Sequence, residues 1–207
     1  MLAFLAGFVN AALLSFYDVP VSHMSGAATR LGLDLGAGRS AELITLALIM
    51  AAFFCGAVTS GCLIGRTNLR PGQRYSLVLF LEAAVLAGSG LLLAHQQRAS
   101  LYAAAYACGL QNAMASSYYG LVIRTTHLTG IVTDLGVQIG HLLRHRRFDR
   151  WKFSMLAAIL VGFIAGALSS ALLGSCSGLN QLYLASSLAG VIGLGYLAWL
   201  RRFPQRP

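Results

Sequence analysis

Residues 6–26 read AGFVNAALLSFYDVPVSHMSG, and residues 108–130 read CGLQNAMASSYYGLVIRTTHLTG. Each stretch passes from a glycine through a buried-type amide to a His-x-Ser/Thr-Gly motif. Gly7-x-x-Asn10-Ala11 matches Gly109-x-x-Asn112-Ala113, and His23-Met24-Ser25-Gly26 matches His127-Leu128-Thr129-Gly130. The offset is 102 residues at the asparagines and 104 at the histidines, a two-residue slip in the connecting turn. Further along, Leu31-Gly32 pairs with Leu135-Gly136, Gly56 with Gly162, and Gly88-x-Gly90 with Gly193-x-Gly195. Anchors that recur in one order predict a chain of two related halves, 1–98 and 99–207.

The surroundings of these motifs are apolar. Of the 207 residues, 57% belong to the apolar set and only 10% are charged, against about 25% charged in an average soluble domain. A soluble domain of this size could not hide so much apolar surface. An ordinary globular domain, a disordered chain and a disulfide scaffold are therefore excluded, leaving an all-α integral membrane protein. The net charge of +9 does not point to nucleic acid, because the basic residues cluster between apolar runs rather than along a groove. Cys55, Cys62, Cys108 and Cys176 form no CxxC pair, so neither a zinc site nor a disulfide framework is expected.

Six runs are long enough to cross a bilayer: 1–17, 41–65, 74–95, 99–123, 153–174 and 180–200. The first lacks a basic n-region and a cleavage site and reads as a retained helix. Two weaker segments, 18–37 and 124–143, are rich in Gly, Ser, Thr and charge and read as broken or re-entrant elements, which need a protein or water-filled lining. With six crossings, twelve of the fifteen basic residues fall on one side, leaving Arg30, Arg39 and Arg98 on the other. The bias predicts cytoplasmic termini. Three crossings per half make the second half insert upside down, an inverted-topology repeat, and interrupted segments at matching positions are where such proteins bind substrate.

GLQNA (109–113), THLTGIVTDLG (126–136) and, more loosely, GFVNA (7–11) and HMSGA (23–27) resemble the YoaK family, bacterial membrane proteins with a domain of unknown function. The likeness covers essentially the whole chain. It implies about six membrane helices, a bacterial inner-membrane location, a shortened start and no established activity. Two departures stand in the first half: Asn10 where the family commonly has an acid, and Ala27 after Ser-Gly where Thr-Gly-Asn is usual.

Asn10, Gln111 and Asn112 lie inside apolar helices and must find partners there. They either cradle a polar solute or cap the broken segments. His23 and His127 are able to relay protons or bind solute. Ser25 and Thr129 add hydroxyls, and Gly26 and Gly130 permit close approach. A half-helix starting near each glycine would aim its positive end inward, towards an anionic group. Glu82, in the middle of the third span, is the candidate proton-coupling carboxyl, aligned with Ser187. Asp134, aligned with Arg30, is a second. Asp18 and Asp34 are expected at the external surface in water. Arg144, Arg146 and Arg147 suit anionic lipid headgroups. Gly61-x-x-x-Gly65 and Gly162-x-x-x-Gly166 suit helix packing within the chain or at a homodimer seam.

No Walker A, HExxH, EF-hand or GxGxxG pattern occurs, so no nucleotide, metal or other cofactor is expected. Gly174-Ser-Cys-Ser-Gly178 imitates a nucleophile elbow without its strand–turn–helix context. The expected function is small-solute transport by alternating access, proton-coupled through Glu82 or a histidine, rather than catalysis. The alternatives are a non-transporting scaffold and, behind it, an intramembrane hydrolase using Ser25 or Thr129 with a histidine.

Overall fold

The computed structural model describes residues 1–65, 73–117, 124–146, 148–176 and 181–202. Arg66, Arg70, Arg147, Arg206, Ser177, Gly178 and the tail of the expected 99–123 span lie outside them. Among the described residues the chain forms eight helices and no strand. They are α1 Leu2–Tyr17, α2 Met24–Ala37, α3 Ser40–Ile64, α4 Arg74–Ala94, α5 Ala99–Ser116, α6 Leu128–His145, α7 Arg150–Cys176 and α8 Gln181–Arg202.

The six similar spans expected from sequence divide into two kinds. α3, α4, α7 and α8 are long and apolar enough to cross a membrane. α1 has only 16 residues, and α5, with 18, carries two tyrosines, Gln111 and Asn112 among its alanines. The difference follows from position. α1 and α5 are interior helices, walled in by the others along most of their length, so polar side chains can be satisfied there. The outer helices present bare apolar residues instead, such as Ile44, Phe54 and Val58 on α3, Val161 and Leu168 on α7, and Val191 and Leu194 on α8. So much exposed hydrocarbon suits a lipid solvent and would be a liability in water.

Helix crossings are set by glycine. A Cβ on Gly7 (α1) would overlap the Phe163 carbonyl of α7, and one on Gly166 (α7) would overlap that of Phe4 (α1). The same pair of approaches recurs where α3 meets α5: Gly56 faces the Tyr106 carbonyl, and Gly109 faces that of Phe53. Without hydrophobic driving force between helices, such close backbone approach supplies much of the association energy. At the α4·α8 contact, Gly90 meets the Tyr183 ring and Leu182, while Gly193 meets the Phe80 ring and Leu79.

These matched contacts correct the sequence alignment beyond the histidines. Gly56 corresponds to Gly166, not Gly162, and extends into Phe53-x-x-Gly56-Ala57 against Phe163-x-x-Gly166-Ala167. Gly90 corresponds to Gly193, and in that register Glu82 stands opposite Ala185 rather than Ser187. Glycine counts alone misled because Gly162 lies one helical turn from Gly166 and makes only ordinary contact with Ala3.

The two short helices are entered by a chain that doubles back. α1 ends at Asp18, whose left-handed backbone (φ 54°) is a conformation Asp tolerates better than most residues. Ser22 then returns to the level of Asn10, and α2 starts there and runs to Gly38 (φ 69°), the glycine cap that turns the chain into α3. In the second half Thr125 and Thr126 likewise return beside Asn112 before α6 begins. α7 starts three residues earlier than expected, because the Asp149 carboxylate accepts the Lys152 N–H at 3.0 Å as an N-cap does.

Candidate functional site

Both asparagines hold the doubled-back chain. The Ser22 N–H and hydroxyl donate to Asn10 Oδ1 at 3.3 and 2.8 Å. The Thr126 N–H and Thr125 hydroxyl donate to Asn112 Oδ1 at 3.3 and 3.1 Å. Asn112 Nδ2 in turn donates to Thr126 Oγ1 (2.8 Å) and to the Cys108 carbonyl (3.1 Å). Among the described residues, neither His23, the N-cap of α2, nor His127, the N-cap of α6, makes a side-chain capping hydrogen bond. The amides therefore fasten the chain just before each helix rather than its orphan N–H groups.

The two His-x-Ser/Thr-Gly segments meet. A cavity of about 740 Å³ is lined by Ser22, His23, Met24 and Ser25 from the first half and by Thr126, His127, Leu128 and Thr129 from the second. Phe53, Ala57, Asn112, Ala113, Ser116 and Arg124 complete the wall. Of the residues singled out in sequence, His23, Ser25, Asn112, His127 and Thr129 come together here. Asn10 and Gln111 stand behind the wall, both buried. Gln111 Nε2 donates to the Leu2 carbonyl at 3.0 Å, tying α5 to the start of α1. Gly130 lies beneath the His127 ring, whereas Gly26 has open space over its α-carbon. Among the described residues no hydrogen bond joins the Ser25 or Thr129 hydroxyl to a histidine, the contact a hydrolase would need.

Other expected positions fall elsewhere. Glu82 is buried in α4, outside the cavity wall, and its Oε2 has no hydrogen-bond partner among the described residues. Asp134 is half-exposed on α6 and lies 3.8 Å from Lys152. It does not meet Arg30, whose guanidinium donates to the Asp18 carbonyl instead (2.9 Å). Asp34 is not in water as expected. It is buried and paired with Arg39 at 2.6 Å, because the turn through Gly38 brings residue 39 back over it. Arg144 and Arg146 are exposed at the end of α6.

Arg124, one of the twelve basic residues that the charge count put on one side, lines the cavity, a place that sequence reasoning did not foresee. Its signal was its distance from the histidine: it precedes His127 by the interval that separates Pro20 from His23, so it belongs to the doubled-back chain. A second cavity, of about 480 Å³, gathers Arg30, Arg39 and Arg98 with Asp18, Asp34 and Glu42. Those are the three arginines that the charge count set apart from the other twelve.

Apolar outer helices around two polar-bearing inner ones, with two short helices starting in a shared cavity, define an all-α membrane protein. The chain belongs to the family described as Protein of unknown function (DUF1275), which it matches over residues 1–195. That is the family its GLQNA and THLTG segments resemble. No curated protein and no solved structure matches it.

Proposed function

We propose that this protein carries a small anionic solute across the membrane by alternating access. In this reading α1, α3, α4, α5, α7 and α8 cross the bilayer, α2 and α6 are half-helices starting near its middle, and both termini are cytoplasmic. The paired glycine–carbonyl contacts are what a pseudo-two-fold axis in the membrane plane would generate. One observation carries the reading: equivalent residues of both halves line a single cavity of about 740 Å³, a size suited to small ligands. Among the described lining residues Arg124 is the fixed charge and no carboxylate is present, which favours an anion. The positive ends of α2 and α6 add to that field. Glu82, a buried carboxyl with one unengaged oxygen, is the proton-coupling group. Arg144 and Arg146 rest on anionic headgroups of a bacterial inner membrane.

The test is thermal stability of the detergent-purified protein with a panel of solutes. Acetate, lactate, sulfate, inorganic phosphate and glutamate stand for anions, choline and lysine for cations, and glucose and urea for neutral solutes. A solute at a hundred times its dissociation constant adds about 2.7 kcal/mol. An anion should stabilise the wild type and fail to stabilise Arg124→Gln. Stabilisation by cations alone would overturn the anion assignment. A blank panel would favour the scaffold reading, which the engagement of both asparagines in holding the chain also supports.

A further inference from the structure

The helix framework repeats itself closely, yet the two equivalent histidines occupy different positions. The His23 ring sits edge-on against Phe163 of α7, with centroids 5.8 Å apart and planes at 64°. The space over its own Gly26 is open, with nothing among the described residues within 4 Å of a Cβ built there. His127 does the reverse. Its ring lies back over Gly130, so close that a Cβ on that glycine would come within 2.5 Å of Cε1 and 2.6 Å of Nδ1. Phe53, the counterpart of Phe163, makes no ring contact among the described residues and lines the cavity instead. Each half thus has an aromatic seat on α3 or α7 and a glycine perch on α2 or α6. One histidine takes the seat and the other the perch.

We propose that His23 and His127 form a two-position latch, and that exchanging seat for perch in both halves switches which side of the cavity is walled off. In the present state His23 on Phe163 closes its side, while the withdrawal of His127 from Phe53 leaves the cavity open beside it. In the opposite state His127 sits on Phe53 and His23 lies over Gly26. Both seats and both perches belong to one framework, so the exchange needs only a ring swing and a small rocking of the half-helices. Discrete alternative packings of this kind are how small local shifts become two-state transitions. The inference rests on the transport reading, since it supplies that reading with its gates.

The glycine perches make opposite predictions. Gly26→Ala costs nothing sterically in the present state but denies His23 its perch, so it should arrest the protein as it stands. Gly130→Ala collides with the His127 ring, which can move, and should drive the protein into the opposite state. The readout is a Thr129→Cys reporter in a background with the four native cysteines replaced, labelled by a membrane-impermeant maleimide from either face of oriented vesicles. The parent should label from both faces. Gly26→Ala should confine labelling to one face, changing the ratio tenfold or more, and Gly130→Ala should shift it to the other. Phe163→Leu, which removes the seat of His23 while keeping bulk, should act in the same direction as Gly130→Ala and serves if that variant does not fold. Shifts towards the same face for Gly26→Ala and Phe163→Leu, or an unmoved ratio in both, would overturn the latch. The labelling needs no solute, so a blank solute panel with reciprocal shifts removes transport and leaves the switch. An anion that stabilises the protein while the ratio stays fixed does the opposite.

Discussion

Replacing Asn10 by alanine should destabilise the protein through one small loop. Asn10 Oδ1 accepts from both the N–H and the hydroxyl of Ser22, and both residues are buried. The substitution leaves the Ser22 amide without a partner, at a cost of about 1–3 kcal/mol. It also removes a hydroxyl hydrogen bond, worth about 0.6–1.7 kcal/mol between membrane-embedded groups. The sum is about 1.6–4.7 kcal/mol. A double-mutant cycle with Ser22→Ala separates the two parts, because that variant deletes the hydroxyl and keeps the amide. The single Asn10→Ala should show the full loss in thermal unfolding, and the coupling should be about 0.6–1.7 kcal/mol. A loss under about 0.5 kcal/mol for Asn10→Ala, no larger than an ordinary surface substitution, would refute the assignment of Asn10 as the fastener of the doubled-back chain.

Gly162 and Gly166 should respond in opposite ways to alanine. Gly166→Ala drives a Cβ into the Phe4 carbonyl and should cost about 3 kcal/mol or more by overpacking. Gly162→Ala meets only ordinary contacts and should gain up to about 1 kcal/mol of helix propensity, both measured by thermal unfolding. Arg39→Ala leaves the buried Asp34 carboxylate unpaired. Because the arginine side chain is 55% exposed, water relieves part of the loss and about 1–2 kcal/mol is expected, checked by the same assay. Glu82→Gln removes a carboxyl with an unengaged oxygen. It should leave unfolding within about 1 kcal/mol of the wild type and abolish proton movement accompanying the stabilising anion, read by a pH dye inside proteoliposomes.

Much of this architecture was legible in the residues. The helix-rich membrane class followed from composition, and the asparagine and histidine motifs marked where the chain doubles back before α2 and α6. Exposed polar runs inside apolar chains are a strong signal because hydrocarbon tolerates so few of them. What escaped was set by three-dimensional packing. The inner position of α1 and α5 depends on which helices surround them, and hydropathy cannot distinguish a helix covered by protein from one covered by lipid. The alignment slipped at Gly56 because two glycines one turn apart look alike until a carbonyl is found against one of them. Asp34 was expected in water because its partner sits five residues away across a turn. The place of Arg124 in the cavity wall escaped for a related reason: it depends on a chain that reverses direction.

The interleaving of the halves has a consequence for biogenesis. The main helix contacts pair α1 with α7, α3 with α5 and α4 with α8, so each joins an early segment to a late one. Gly7 meets its Phe163 carbonyl only after most of the chain has been made, about ten to thirty seconds later at ordinary synthesis rates. Until then the early helices wait in the membrane with the glycine faces at Gly7 and Gly56 uncovered. An insertion chaperone or the translocon itself would have to shelter them, and ribosome stalls placed between α4 and α5 should expose them to quality-control proteolysis.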